Sequence, residues 1–275
     1  MKRNLLLLIV LVFVLGSVPA VAQTVKRPFN GTDLTGWKFN GNQENCWKVG
    51  LVRPIATTAT ALEIATPGQG QQRPGQAQGQ EQGQRQGQGQ RQGQGQRQGQ
   101  AQGPRTCMVN LTPSNWTQEP RKGVDVYTEE KFGDCTVKID VLIPRNSNSG
   151  VYLMGEYEVQ VNDSFGRPSE YKLTQGDMGA IYSSSAPKIN ASGQPGTWQT
   201  YEIEFVAPKF DANGNKTSNA LFKKITLNGY VVQENVEAKG PTGGGITGKE
   251  APTGPLMLQG NHGPVAFRNI EIIVP

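Results

Sequence analysis

The chain predicts an all-β fold, a sandwich or barrel of short antiparallel strands. Three observations carry this. From residue 135 onward, segments of period-two alternation rich in β-branched residues recur. Clusters of Gly, Pro, Asn and Ser separate them. No stretch shows a long apolar stripe of helical period with caps at its ends.

The strand segments follow in order. CTVKIDVLI (135–143) alternates, and so do GVYLMG (150–155), YEVQVND (157–163), WQTYEIEFVA (198–207), LFKKITLNGYVVQ (221–233) and VAFRNIEIIV (265–274). Between them lie the turn-rich stretches PRNSNSG (144–150), SSSAPKINASGQPG (183–196), DANGNKTSN (211–219) and GPTGGGITGKEAPTGP (240–255). Asn228-Gly229 predicts a tight hairpin, because a type I′ turn needs positive φ at both central positions. LEIATP (62–67) and CMVNL (107–111) are two further candidate strands.

The ends and the interior of the chain differ in kind. MKRNLLLLIVLVFVLGSVPAVAQT opens with a basic pair, an apolar run and an Ala20-Val21-Ala22 cleavage pattern, which is the layout of a signal peptide. Residues 1–22 are therefore expected to be removed, and the protein to be exported to a periplasm or beyond. The run is short for a bilayer span, and no other segment is expected to cross a membrane. Residues 67–104 are almost wholly Gly, Gln, Arg and Pro, with GQRQGQ three times in succession over 83–100. Such a segment cannot bury enough apolar surface to offset its ordering entropy, so it reads as a disordered insert. A flexible loop costs little more to close as it lengthens, which lets a sheet tolerate it. What remains, within residues 23–275, is long enough for a single β domain.

Charge excludes one class of function. The formal charge is +5. Lys2 and Arg3 leave with the leader, and Arg73, Arg85, Arg91 and Arg97 against Glu81 belong to the insert. The folded remainder is neutral and carries no basic footprint for nucleic acid. Of three cysteines, Cys46, Cys107 and Cys135, none forms a C-x-x-C pair. Export permits one disulfide among them, and free buried thiols are the alternative. A single histidine, His262, rules out a multi-histidine metal centre.

Chemistry concentrates in YEVQVND. In a strand Tyr157, Val159 and Val161 share one face and belong in the inter-sheet core. Glu158, Gln160 and Asn162 share the other. That polar row is either a solvated surface or the floor of a site for hydroxyl-rich ligands. Tyr152, Met154, Trp198 and Tyr201 are either platforms for sugar rings or core residues. His262, in QGNHGPVAFRN, is either a structural histidine or an acid, base or ligand at the rim of a cleft. Arg268 either points into the cleft to bind an oxyanion or forms a surface ion pair. Asn148 and Ser149 either bind hydroxyls or make the turn.

Several motifs together resemble the bacterial exported family named after 3-keto-disaccharide hydrolase. They are FNGTDLTGWKF (29–39), WKV (47–49), YTEEKFGDCTVKIDV (127–141), NSGVYL (148–153), YEVQVNDS (157–164), GAIY (179–182), PGTWQTYEIEF (195–205), LNG (227–229) and GPLMLQGNHGPVAFRNIEI (254–272). They occur in the family's order and span nearly all of the chain after the leader, except the insert. Cys135 stands where the family usually has an aromatic residue. The resemblance implies a concanavalin A-like jelly-roll sandwich of two antiparallel sheets, akin to laminarinase-type glucanases. It also implies a carbohydrate ligand and cleavage of 3-keto-disaccharides.

The row itself departs from the glucanase pattern. Glu158-x-Gln160-x-Asn162 holds one carboxylate, whereas ordinary glycoside hydrolysis needs two. A 3-keto sugar needs less, because its carbonyl acidifies the hydrogen at C2. One base can remove that proton and let the C1 oxygen leave, after which water adds. Glu158 is the expected base or metal ligand, with His262 and Asp163 as further catalytic candidates. Gln160, Asn162, Asn148, Arg268 and Tyr152 are the expected substrate contacts. Glu158, Asp163 and His262 would also form an oxygen-plus-imidazole set for Ca, Mn or Zn. The alternatives are a carbohydrate-binding module without activity and an envelope interaction protein acting through its insert.

Overall fold

The computed structural model describes residues 23–65, 106–113 and 122–275. The expected leader over 1–22 and the Gly/Gln-rich insert over 67–104 lie outside the described residues. Among the described residues there is no helix, and fifteen strands build two antiparallel sheets and a short ribbon.

The strands are β1 (Thr24–Lys26), β2 (Trp37–Asn40), β3 (Trp47–Gly50), β4 (Cys107–Asn110), β5 (Asp125–Phe132), β6 (Cys135–Leu142), β7 (Asn148–Leu153), β8 (Tyr157–Asn162), β9 (Trp198–Val206), β10 (Lys209–Phe210), β11 (Lys216–Ser218), β12 (Ala220–Leu227), β13 (Tyr230–Ala238), β14 (Gly254–Leu258) and β15 (Val265–Val274). The larger sheet runs β13-β12-β9-β6-β15-β4-β3, with β1 added on β15. The smaller runs β2-β5-β14-β7-β8. Neighbours in space are mostly distant in sequence, as a jelly-roll sandwich requires.

Alternation explains the layering. Cys135, Val137, Ile139 and Val141 of β6 and Ile203 and Phe205 of β9 pack against Tyr157, Val159 and Val161 of β8 in one core. Aromatic pairs bind it, with Phe205 lying 5.5 Å from Tyr157 and 5.1 Å from Phe222. The buried Tyr201 hydroxyl of the larger sheet donates to the Gln160 carbonyl at 2.8 Å, tying the two layers together behind β8. Tyr201 is thus a core strut and not a sugar platform.

The hairpin expected at Asn228-Gly229 joins β12 to β13, with φ of 53° and 84° at the two positions. The candidate strand LEIATP is a correction. Among its described residues, 62–65, only Ala65 pairs, as an isolated bridge with Leu51, and Leu62 and Ile64 instead pack on the outer face of the larger sheet. There they meet Val52, Cys107, Val109, Leu142 and Ala266. All three cysteines are free thiols, and burial pushes Cys135 up to about 12.

Candidate active site

The outward face of the smaller sheet is where the polar row stands. β8 is the edge strand, yet its edge is not open to solvent. Gln160 N–H donates to the Ala180 carbonyl, and Gly179 and Tyr182 N–H groups donate to the carbonyls of Gln160 and Glu158. The Thr242 hydroxyl accepts from Glu158 N–H at 2.9 Å. These segments close the edge of β8, and within the row Glu158 is 3 % and Gln160 4 % exposed. The face is neither a wet surface nor part of the apolar core.

Register brings four strands to one spot. Gln160 of β8 lies opposite Gly150 of β7, and Glu158 opposite Tyr152. Gln259, one residue past β14, donates its N–H to the Gly150 carbonyl at 3.0 Å. Beyond it on β5 is Asp125, whose Oδ1 accepts from Gly260 N–H at 2.9 Å. Gly150 leaves the space above β7 to a neighbouring side chain. A Cβ there would meet the Glu158 carboxyl, so glycine is required for the acid to lie across β7.

The polar groups form a chain. Gln259 Nε2 donates to the Tyr152 hydroxyl at 3.2 Å, and that hydroxyl is hydrogen-bonded to the Glu158 carboxyl. Burial drives Glu158 up to about 8, helped by the negative charge of Asp125 and opposed by the Tyr152 bond. Asp125 is itself buried and pushed up to about 6, against the pull of N–H groups from Gly260 and Asn261. Tyr152 is driven upward by burial and by the neighbouring Glu158. Two buried carboxyl groups with separated proton affinities therefore share this face, an arrangement suited to acid–base division of labour.

Three amide oxygens point the same way. Asn148 Oδ1, Gln160 Oε1 and Gln259 Oε1 are buried side-chain acceptors with no protein partner. Among the described residues only one other buried side-chain atom shares that status, Arg167 Nε, and it lies in an ion pair with Asp177 at 2.7 Å. Buried acceptors left unmatched are costly in a folded protein unless a ligand or water completes them. Here they share one face of the sheet with Gly150: Gln160 lies opposite it, Asn148 is two residues before it on β7, and Gln259 N–H donates to its carbonyl.

The remaining candidates divide. Asn162 lies opposite Asn148 and donates through Nδ2 to the Gly176 carbonyl at 2.9 Å, which fixes a covering loop. His262 is half-buried in the loop before β15, with Nδ1 against the Asn261 amide oxygen. That loop borders the site: Asn261 N–H reaches Asp125, and a Cβ on Gly263 would lie 2.6 Å from Ser147 Oγ and 3.2 Å from the Asn148 nitrogen.

Two expectations are corrected. Asp163 lies past the end of β8, where its carboxylate accepts the Asn146 N–H at 2.9 Å and holds the turn before β7. It is five residues from Glu158, about 16 Å along a strand, and of opposite parity. Arg268 lies on the other sheet, on its outer face beside Ala266. Its Nε donates to Asp140 at 3.2 Å, and its guanidinium stacks 3.9 Å above the Trp198 ring. Both Arg268 and Trp198 are thus separated from Glu158 by the whole sandwich. The three-ligand set is a correction too: among the described residues no three His, Cys, Asp or Glu side chains gather as a metal ion requires, and Glu158, Asp163 and His262 do not fit one.

Sequence reasoning missed Asp125 and Gln259. The first was within reach. In GVDVYTEEKF (123–132) Asp125 stands between Val124 and Val126 and so must face outward, by the same alternation that orients Glu158. Which outward residues of different strands meet depends on register, and a single sequence does not encode that locally.

The outward face of the smaller sheet thus holds two buried carboxyl groups among unmatched amides. Residues 24–273 match the family described as the 3-keto-alpha-glucoside-1,2-lyase-like domain, and the chain belongs to that family. None of the curated proteins compared with it matches. Among solved structures, one from Parabacteroides distasonis, described as a "putative glycosyl hydrolase", is 35% identical over 54% of this chain and 66% of its own, with a TM-score of 0.47. The chain thus spans just under two thirds of that relative. A second of the same description and organism is 17% identical over 90% of this chain and 92% of its own, with a TM-score of 0.48.

Proposed function

We propose that this domain cleaves the glycosidic bond of 3-keto-glycosides by elimination and rehydration, with Asp125 as the base and Glu158 as the proton-bearing partner. The observation that carries the proposal is the buried Asp125–Glu158 pair sharing a face with three unmatched amide oxygens. Near neutral pH the Asp125 carboxyl, at about 6, is mostly ionised, and the Glu158 carboxyl, at about 8, is mostly protonated.

The chemistry follows from those states. Asp125 takes the C2 proton, and the electron pair delocalises onto the C3 oxygen. Glu158, still protonated, donates a hydrogen bond to that oxygen as it gains charge. The C1–oxygen bond then breaks, and the proton held by Asp125 goes to the departing oxygen. Water adds across the resulting double bond, hydroxyl to C1 and hydrogen to C2. Asn148, Gln160 and Gln259 accept hydrogen bonds from ring hydroxyls and fix the sugar over Gly150. His262 borders this centre through Asn261 and supports it from the rim.

The presence of two carboxyl groups also favours a second reading, direct hydrolysis of ordinary glycosides by an acid–base pair. Purified protein incubated with a 3-keto-glucoside and its unoxidised parent separates the two. The first reading expects sugar release from the keto compound alone. Release from the parent at a similar rate would replace it with the second, and release from neither would leave a binding domain. We further propose that the protein acts after export, in which case N-terminal sequencing of the mature chain should begin at Gln23.

A further inference from the structure

A cavity of about 350 Å³ opens beside the candidate active site, lined by Tyr127, Met154, Glu156, Ile246, Thr247 and Ala251 among others. Its volume lies at the small end of ligand sites, the scale of one sugar ring. Two features tie it to the acid pair. Tyr127 follows Asp125 by two residues on the same face of β5, a step of about 7 Å. That is the length scale of one pyranose ring with its linking oxygen. The loop after β13 also touches both places. A Cβ on Gly244 would lie 2.7 Å from the Tyr152 hydroxyl, while Ile246 and Thr247, two and three residues on, line the cavity.

The lining suits a sugar. Tyr127, Met154, Ile246 and Pro255 give an apolar wall for the C–H face of a ring, and Lys38, Lys131 and Lys249 give donors at the rim. The buried Glu156 carboxylate helps to hold the loop in place, accepting from Thr247 N–H at 2.8 Å and Gly248 N–H at 2.9 Å.

We propose that this cavity is the subsite for the second ring of the substrate, the pyranose that does not carry the ketone. The inference rests on the placement of the keto ring over Gly150 proposed above. It makes the domain selective for disaccharides over glycosides with a small aglycone.

The test compares a 3-keto-disaccharide with methyl 3-keto-glucoside. Ala251→Trp fills the cavity from an exposed position, and Tyr127→Ala removes its wall. Each should raise KM for the disaccharide about tenfold, hold kcat within twofold, and leave the methyl glycoside unaffected. Equal changes for both substrates, or no change for either, would overturn the subsite. Should neither substrate turn over, the functional reading fails, and calorimetry on the wild-type protein still decides the subsite. The unoxidised disaccharide must then bind at least tenfold tighter than methyl glucoside, with the advantage lost in Ala251→Trp. Equal affinity would discard the subsite.

Discussion

The two outer faces of the sandwich each carry a carboxylate-centred polar cluster, and they differ in one respect. On the larger sheet, Asp140 accepts from Thr200 Oγ1 at 2.7 Å, Asn269 Nδ2 at 2.6 Å and Arg268 Nε at 3.2 Å, and Trp198 lies under the guanidinium. Its charge is neutralised and its lone pairs are used. On the smaller sheet, Glu158 and Asp125 are buried, burial raises the proton affinity of both, and three amide oxygens on that face lack protein partners. The first cluster ends in itself and holds β6, β9 and β15 together. The second is unfinished as a protein structure and becomes complete only with a polar guest. Charge and aromaticity alone do not separate a site from a brace; the count of unmet hydrogen bonds does.

Substitutions sharpen that contrast. The largest effect is expected at the acids. Asp125→Asn should lower kcat about 10³-fold on a 3-keto-glycoside, whereas Asp140→Asn on the opposite face should keep kcat within twofold. Comparable losses at both positions, read by initial rates on folded protein, would dissolve the distinction.

Gly150→Ala comes next. Its methyl group collides with the Glu158 carboxyl, so the acid must move away. A drop in kcat/KM of ten- to a hundredfold is expected, with about 1–3 kcal/mol of lost stability from overpacking.

The third prediction concerns pH and stability. Glu158 has a folded pKa raised above its ordinary 4.5 to about 8, because burial disfavours the charged form. Between those values the folded state binds more protons than the unfolded, so the Glu158 contribution is fully present below about pH 4.5 and is lost as pH rises through about 8. Glu158→Gln, which cannot ionise, should therefore gain on the wild type with rising pH. The difference in unfolding free energy should reach the order of a few kcal/mol by pH 9. A difference that stays flat across the range in denaturant titrations would mean that Glu158 is not held in its neutral form.

The smallest effect is expected at Arg268. Arg268→Met should cost about 1 kcal/mol by loss of the Asp140 bond and the Trp198 stack, with unchanged activity. A large fall in turnover there would return this face to consideration as a site.

Much of this was legible in the chain. Alternation placed Tyr157, Val159 and Val161 inward and Glu158, Gln160 and Asn162 outward, and Asn228-Gly229 marked its hairpin. The ordered motifs led to the family. The misses have distinct physical causes. Arg268 and Glu158 both face away from the core, but of different sheets, and alternation reports inside from outside without saying which outside. Asp163 follows the row in sequence, and parity turns it to the other face unless the strand ends; β8 does end at Asn162, but Asp163 then caps the turn before β7. Asp125 and Gln259 enter through the register of β5, β14 and β7, which long-range pairing sets. Short strands such as β1, β10 and β11 lack enough residues for a period to show.

The most direct measurement follows the hydrogen at C2. A 3-keto-glucoside is cleaved in D2O, and the released keto sugar is analysed by NMR. The expected result is deuterium at C2 in product formed by the wild-type protein, with cleavage and C2 exchange both slowed about 10³-fold in Asp125→Asn. Product retaining its original hydrogen at C2, or a variant that exchanges as fast as the wild type, would contradict proton abstraction by Asp125.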